Sequence, residues 1–142
     1  MFVLDERLQQ DTCWLADLPL CRVLLMNDAR YPWLILVPRV AAVSEVFELD
    51  EAQQHQLWDE SRLLAQAMQG VFAADKMNIA TLGNVVRQLH MHLVVRIEGD
   101  ESWPAPVWGR GAAVPYSESG QDAVRKQMLQ ALERSGLEVA LA

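Results

Sequence analysis

In the run Gln88-Leu89-His90-Met91-His92-Leu93-Val94-Val95-Arg96, polar and apolar side chains alternate with a period close to two. That is the period of a β-strand, whose successive side chains point to opposite faces. Leu89, Met91, Leu93 and Val95 then share a face that can close on a core, while Gln88, His90, His92 and Arg96 share the other. The two imidazoles stand roughly 6–7 Å apart along such a strand. The chain must therefore build a sheet with one face sealed and at least part of the other available for chemistry.

Composition sets the bounds on that chemistry. A chain of 142 residues is long enough for one domain with a hydrophobic core that needs neither disulfides nor metal. Net charge is −7 with no basic cluster, which argues against binding a nucleic-acid backbone, where a positive footprint is expected. A local anion site remains compatible with an acidic surface. Cys13 and Cys21 form no CxxC pair and read as free thiols of a reducing compartment. The N-terminus lacks a basic region followed by an apolar run, and no stretch approaches ~18 consecutive apolar residues, so neither a signal peptide nor a membrane span is expected. A cytoplasmic location is the expectation.

The rest of the chain supplies the partners for that strand. A short helix or turn over 2–10 leads into a strand around 12–16. The apolar runs 22–27 and 33–38 flank a turn containing Pro32 and predict a hairpin of mostly buried strands. Residues 43–49 suit a helical turn. Asp50 and Gln53 have the spacing of a capping box at the head of a helix over 51–74. Along it, Leu57, Ser61, Leu64, Met68, Val71 and Phe72 fall on one stripe. Residues 78–82 predict another strand, Gly83-Asn84 a turn, and 118–134 a closing helix. Short connections favour antiparallel pairing. The expected class is α+β: an antiparallel sheet of about five strands, with the long helix on one face and a C-terminal helix at the end.

The residues alone leave three readings of the histidine pair. A neutral imidazole is a competent nucleophile near neutral pH and can form a phosphohistidine, while a second imidazole and the Gln88 amide donate hydrogen bonds to phosphoryl oxygens. Arg96 would add a fixed charge. Zinc binding is a rival, because adjacent histidines are common ligands, with His55 or the cysteines as candidates to complete the set. A hydrogen-bonded structural pair is the third. Trp33 reads as core, Trp103 and Trp108 as either closing the site or packing loop to core, and His55 as solvated.

Gln88-Leu89-His90-Met91-His92-Leu93-Val94 resembles the His-φ-His-φ-His-φ-φ pattern (φ, apolar) of the histidine-triad (HIT) superfamily at every position except the first. The lead-in Gly83-Asn84-Val85-Val86-Arg87 is similar to the family's Gly-Gln-Ser/Thr-Val. The hairpin from Leu25-Met26-Asn27 to Trp33-Leu34-Ile35-Leu36-Val37-Pro38-Arg39 resembles the family's nucleoside-contacting hairpin. Trp103-Pro104 is similar to the tail of some branches. The likeness spans about 12–104, within one domain over 1–142 whose last part, 105–142, reads as an extension.

This resemblance implies a nucleotide-binding hydrolase or transferase that cleaves a nucleoside phosphoanhydride or phosphoramidate through a phosphohistidine. His90 would be the nucleophile, His92 the phosphate-contacting partner, and Gln88 the occupant of the first triad position. Asn27 would hold the ribose, with Asn84 and Arg96 near the phosphate. The substrate would be a nucleotide or dinucleoside polyphosphate, the protein a homodimer with Trp58 on a plausible interface. No cofactor or protein-bound metal is implied, although Mg²⁺ can accompany a polyphosphate. Val85 replaces the usual Ser/Thr and cannot donate to a leaving group. With Gln88, it leaves a second expectation open: a nucleotide binder without turnover.

Overall fold

The computed structural model describes residues 1–142 and arranges them around one antiparallel sheet. Its strands are β1 (Thr12–Asp17), β2 (Cys21–Met26), β3 (Trp33–Pro38), β4 (Lys76–Ala80), β5 (Met91–Arg96) and β6 (Ala140–Leu141), in the order β4-β5-β3-β2-β1-β6. The helices are α1 (Glu6–Asp11), α2 (Glu51–Phe72) and α3 (Glu118–Arg134), with a 3-10 turn over Val46–Glu48. The sixth strand is the departure from the expected five. It is two residues long and closes on Ala16 and Asp17 of β1, a pairing that sequence periodicity is too short to reveal.

The alternation of the strands sorts the core into two layers. Val23, Leu25, Leu34, Leu36, Leu93 and Val95 face the helices. Against them lie Leu57, Leu64, Ala65 and Met68 of α2, and Val124, Met128, Ala131 and Leu132 of α3. Residues 118–134, with no counterpart in the resemblance, are thus part of the main core. The opposite layer is smaller: Leu24, Trp33, Ile35, Val37 and Val94 on the sheet, with Leu8 of α1, Tyr31 and Val107 over them. The site lies in this second layer.

Two local devices hold the scaffold. The capping box is formed as the sequence predicts: the Gln53 N–H donates to Asp50 Oδ1 at 2.8 Å and the Asp50 N–H to Gln53 Oε1 at 3.0 Å. Glu60, wholly buried on α2, accepts from the backbone N–H groups of Leu20 and Cys21, each at 2.9 Å, and from the Gln56 amide at 2.6 Å. Three donors compensate its desolvation and pin the β1–β2 turn to the helix. Burial, then the neighbouring Glu60, pushes the Cys21 thiol well above its ordinary range, so it packs rather than reacts. No helix is long and apolar enough to cross a membrane.

Candidate active site

The histidine strand begins later than the alternation suggests. β5 starts at Met91, and residues 81–90 run from β4 as an irregular loop turning at Gly83, whose φ of +95° is a conformation that favours glycine. The Thr81 hydroxyl holds the His90 carbonyl at 2.8 Å, and the Leu89 N–H donates to the Val43 carbonyl at 2.9 Å. His90 is thus fixed by its neighbours at the mouth of the strand, and His92 lies just inside it, opposite Ile35 of β3 and Ala80 of β4. Their ring centroids are 4.8 Å apart at 71°.

Both rings line a cavity of about 460 Å³. Its floor is sheet (Met26, Trp33, Ile35), and its walls come from α1 (Arg7, Leu8, Asp11) and from Leu82–Val86. Val107, Trp108, Gly109, Gly111 and Ala113 of the long loop after β5 close the remaining side. Trp108 packs edge-on against His92 at 5.1 Å and against Trp33 at 6.0 Å. The Ala29 N–H donates to the Val114 carbonyl at 2.6 Å and the Tyr116 N–H to Asn27 Oδ1 at 2.9 Å, tying this loop to the β2–β3 turn.

The hydrogen bonds give the two imidazoles opposite characters. His90 Nδ1 lies 2.7 Å from the Gln88 carbonyl oxygen. A carbonyl only accepts, so Nδ1 carries the proton and Nε2 keeps its lone pair. His92 Nδ1 lies 3.0 Å from Trp33 Nε1, and an indole N–H only donates. Its Nδ1 is therefore the acceptor, and the ring proton sits on Nε2. Burial, and secondarily the adjacent His90, pushes the His92 pKa down to about 3, so it is neutral at pH 7. One ring offers a nucleophilic lone pair and its neighbour a donor, side by side.

Three residues singled out from the sequence are turned to other work. The Gln88 amide accepts from the Asp5 N–H and donates to the Val3 carbonyl, both at 2.8 Å, so it clamps the N-terminal segment and only its backbone carbonyl serves the site. Arg96, 2 % exposed, donates to Asp100 at 2.8 and 3.0 Å, to Asn78 Oδ1 at 2.9 Å and to Ser102 Oγ at 3.2 Å. It orders the turn that launches the covering loop and is not among the cavity's lining residues. Asn27 likewise lies outside the cavity lining, its oxygen taken by Tyr116. Asn84 does line the cavity and is exposed there. His55, Cys13 and Cys21 do not, and no three His, Cys, Asp or Glu side chains are grouped so as to hold a metal ion.

Sequence reading missed Trp33 as a partner of His92, and it missed Asp28 with Arg30. The register Trp33↔Val94 and Ile35↔His92 makes Trp33 a diagonal neighbour of His92 on one face. That register was the only signal that could have found it. Burial alone would raise the Asp28 carboxyl, but hydrogen bonds from Arg30 and from the Val114 N–H hold it below its ordinary value. Arg30 reaches it at 2.8 Å, so the pair enters the cavity wall already neutralised.

The HIT domain model matches residues 7–99. Among solved structures, the chain is similar to a histidine triad protein of Marinobacter aquaeolei at 49 % identity, over 96 % of this chain and 99 % of that one, with a TM-score of 0.92. It is similar to a histidine triad protein of Sinorhizobium meliloti at 46 % identity, over 92 % and 97 % of the two chains, with a TM-score of 0.89. A third, from Bradyrhizobium japonicum, matches at 41 % identity over 92 % and 97 %, also with a TM-score of 0.89. A search of curated proteins finds no match. The chain belongs to the HIT family and thus, in general terms, to its nucleotide-binding hydrolases and transferases.

Proposed function

We propose that the protein hydrolyses a nucleoside phosphoramidate or phosphoanhydride, with His90 as nucleophile and a phosphohistidine as intermediate. The observation that carries this reading is the opposed pair of tautomers: a lone pair on His90 Nε2 beside a proton on His92 Nε2. His90 Nε2 attacks phosphorus and the bond to the leaving group breaks. His92 Nε2–H donates to a non-bridging oxygen as charge builds on it. Water then attacks the phosphorus, releasing a mononucleotide and restoring His90. The proton on His90 Nδ1 stays on that nitrogen throughout, donated to the Gln88 carbonyl, so the cation formed on attack is stabilised by a hydrogen bond that already exists.

Asn84 lines the same cavity and is a further donor to the phosphate. Val85, 71 % exposed at the cavity wall, has no proton to give, so the leaving group takes its proton from water. The apolar stretch Leu8, Met26, Ile35 and Val107 suits a nucleobase or the face of its sugar. The charged groups of the cavity pair off, Arg7 with Asp11 and Arg30 with Asp28. A single phosphoryl charge held by neutral donors fits such a lining better than a long polyphosphate, which would need surplus cations. Incubation with a panel of nucleoside phosphoramidates, dinucleoside polyphosphates and nucleotidyl sugars tests the proposal. Release of mononucleotide, fastest from the phosphoramidates, is expected. Nucleotide binding without release from any of them would contradict it.

A further inference from the structure

We propose that Trp33 is a positioning residue: its indole N–H holds His92 in the tautomer that carries its proton on Nε2, so that His92 always meets substrate as a donor. This rests on the reading of His92 as the donor to the phosphoryl group. Two separate choices have to be made for that ring, its charge and the location of its single proton. Burial beside His90 settles the charge by favouring the neutral form. Burial does not choose between the nitrogens. Trp33 does, because an indole offers only a donor and lies 3.0 Å from Nδ1. A proton on Nδ1 would set two N–H groups facing each other, which also disfavours the imidazolium.

The indole is itself well held. It is 5 % exposed, on a strand flanked by β2 and β5, with the rings of Tyr31 and Trp108 packed against it at 6.4 and 6.0 Å. His90 cannot take over this bond, since its own Nδ1 is committed to the Gln88 carbonyl. The charged and titratable groups sharing the cavity with His92 are His90, Arg7 and Asp11 from α1, and Asp28 and Arg30 from the β2–β3 turn. The covering loop contributes no ionisable side chain to the cavity lining. None of these offers His92 Nδ1 an alternative acceptor in the structure.

Long-range ¹H–¹⁵N NMR of the histidine rings in the wild-type protein tests this without any substrate. At pH 7, His92 is expected to show an unprotonated Nδ1 and a protonated Nε2. A proton on Nδ1, or an imidazolium, would overturn the proposal. In Trp33→Phe, which keeps an aromatic ring and loses the donor, His92 is expected to populate both tautomers. Its kcat for a nucleoside phosphoramidate is expected to fall roughly tenfold with KM nearly unchanged, a smaller loss than removing a donor outright. Retention of the pure Nε2–H tautomer in Trp33→Phe would also overturn it. If the wild-type protein has the expected tautomer and turns over nothing, the proposed activity fails and the role of Trp33 in fixing the ring stands. Should Trp33→Phe not fold, the wild-type spectrum decides alone.

Discussion

The two ends of β5 carry polar side chains of the same strand, and they are put to opposite uses. At its start, His90 just before the strand and His92 just inside it each spend one ring nitrogen on a partner and keep the other for the cavity. At its end, Arg96 spends its guanidinium on Asp100, Asn78 and Ser102, beneath the rings of Tyr31 and Trp103. Polarity on a strand face therefore does not by itself mark a site. What marks it is a functional atom left unspent beside a cavity. The saturated end still matters, because the turn it orders launches the loop that closes the cavity over the unsaturated end.

The contrast can be broken most severely at His90. Replacing it with Ala removes the proposed nucleophile, and turnover of a phosphoramidate is expected to fall by at least about 10⁴-fold while nucleotide affinity, by calorimetry, stays within a few-fold. Replacing Arg96 with Met is expected to act on stability instead. It removes the guanidinium that holds the Asp100 carboxyl below its ordinary pKa and leaves that carboxylate only the backbone N–H groups of Ile97, Ser102 and Trp103, at a cost of about 3 kcal/mol in urea denaturation. A variant whose stability is unchanged, and whose KM alone rises, would return Arg96 to the phosphate site.

Acid sharpens the comparison further. His92 is neutral in the fold down to about pH 3, whereas an unfolded histidine takes up its proton near pH 6.5. Below that pH the unfolded chain binds a proton that the native state refuses, so stability falls as pH falls. From pH 7 to pH 5 the loss attributable to this ring is about 2 kcal/mol, and His92→Asn is expected to remove it. Asp28 and Asp100, held below the ordinary carboxylate value, contribute with the same sign only in more acidic solution. The smallest effect belongs to Gln88. Gln88→Ala releases the N-terminal segment at a cost of about 1 kcal/mol. It is expected to leave kcat within about threefold, because the backbone carbonyl that serves His90 survives the substitution.

These outcomes follow the line between what the sequence made legible and what it hid. Period-two alternation marked the histidine strand, helical spacing and the Asp50–Gln53 box marked α2, and the short connections implied antiparallel order, because each of these is local. The histidine pair was legible for the same reason. The partners of Gln88, Arg96 and Asn27 were not. Gln88 meets Val3 and Asp5 across more than eighty residues, and Asn27 meets Tyr116 across eighty-nine, distances over which side-chain type carries no instruction. Arg96 lies four residues from Asp100, yet its network also depends on Asn78 and on a turn whose shape the sequence did not disclose. Trp33 read as core and is buried, and only the strand register exposes its second role.

In the proposed reaction, the unspent nitrogen of His90 becomes covalently bonded to phosphorus. Mass spectrometry of the protein, quenched without acid during turnover of a slow nucleoside phosphoramidate, tests it most directly. A nucleotidyl adduct is expected on the peptide containing His90 and absent from His90→Ala. Turnover with no adduct on that peptide, or an adduct on another residue, would contradict it.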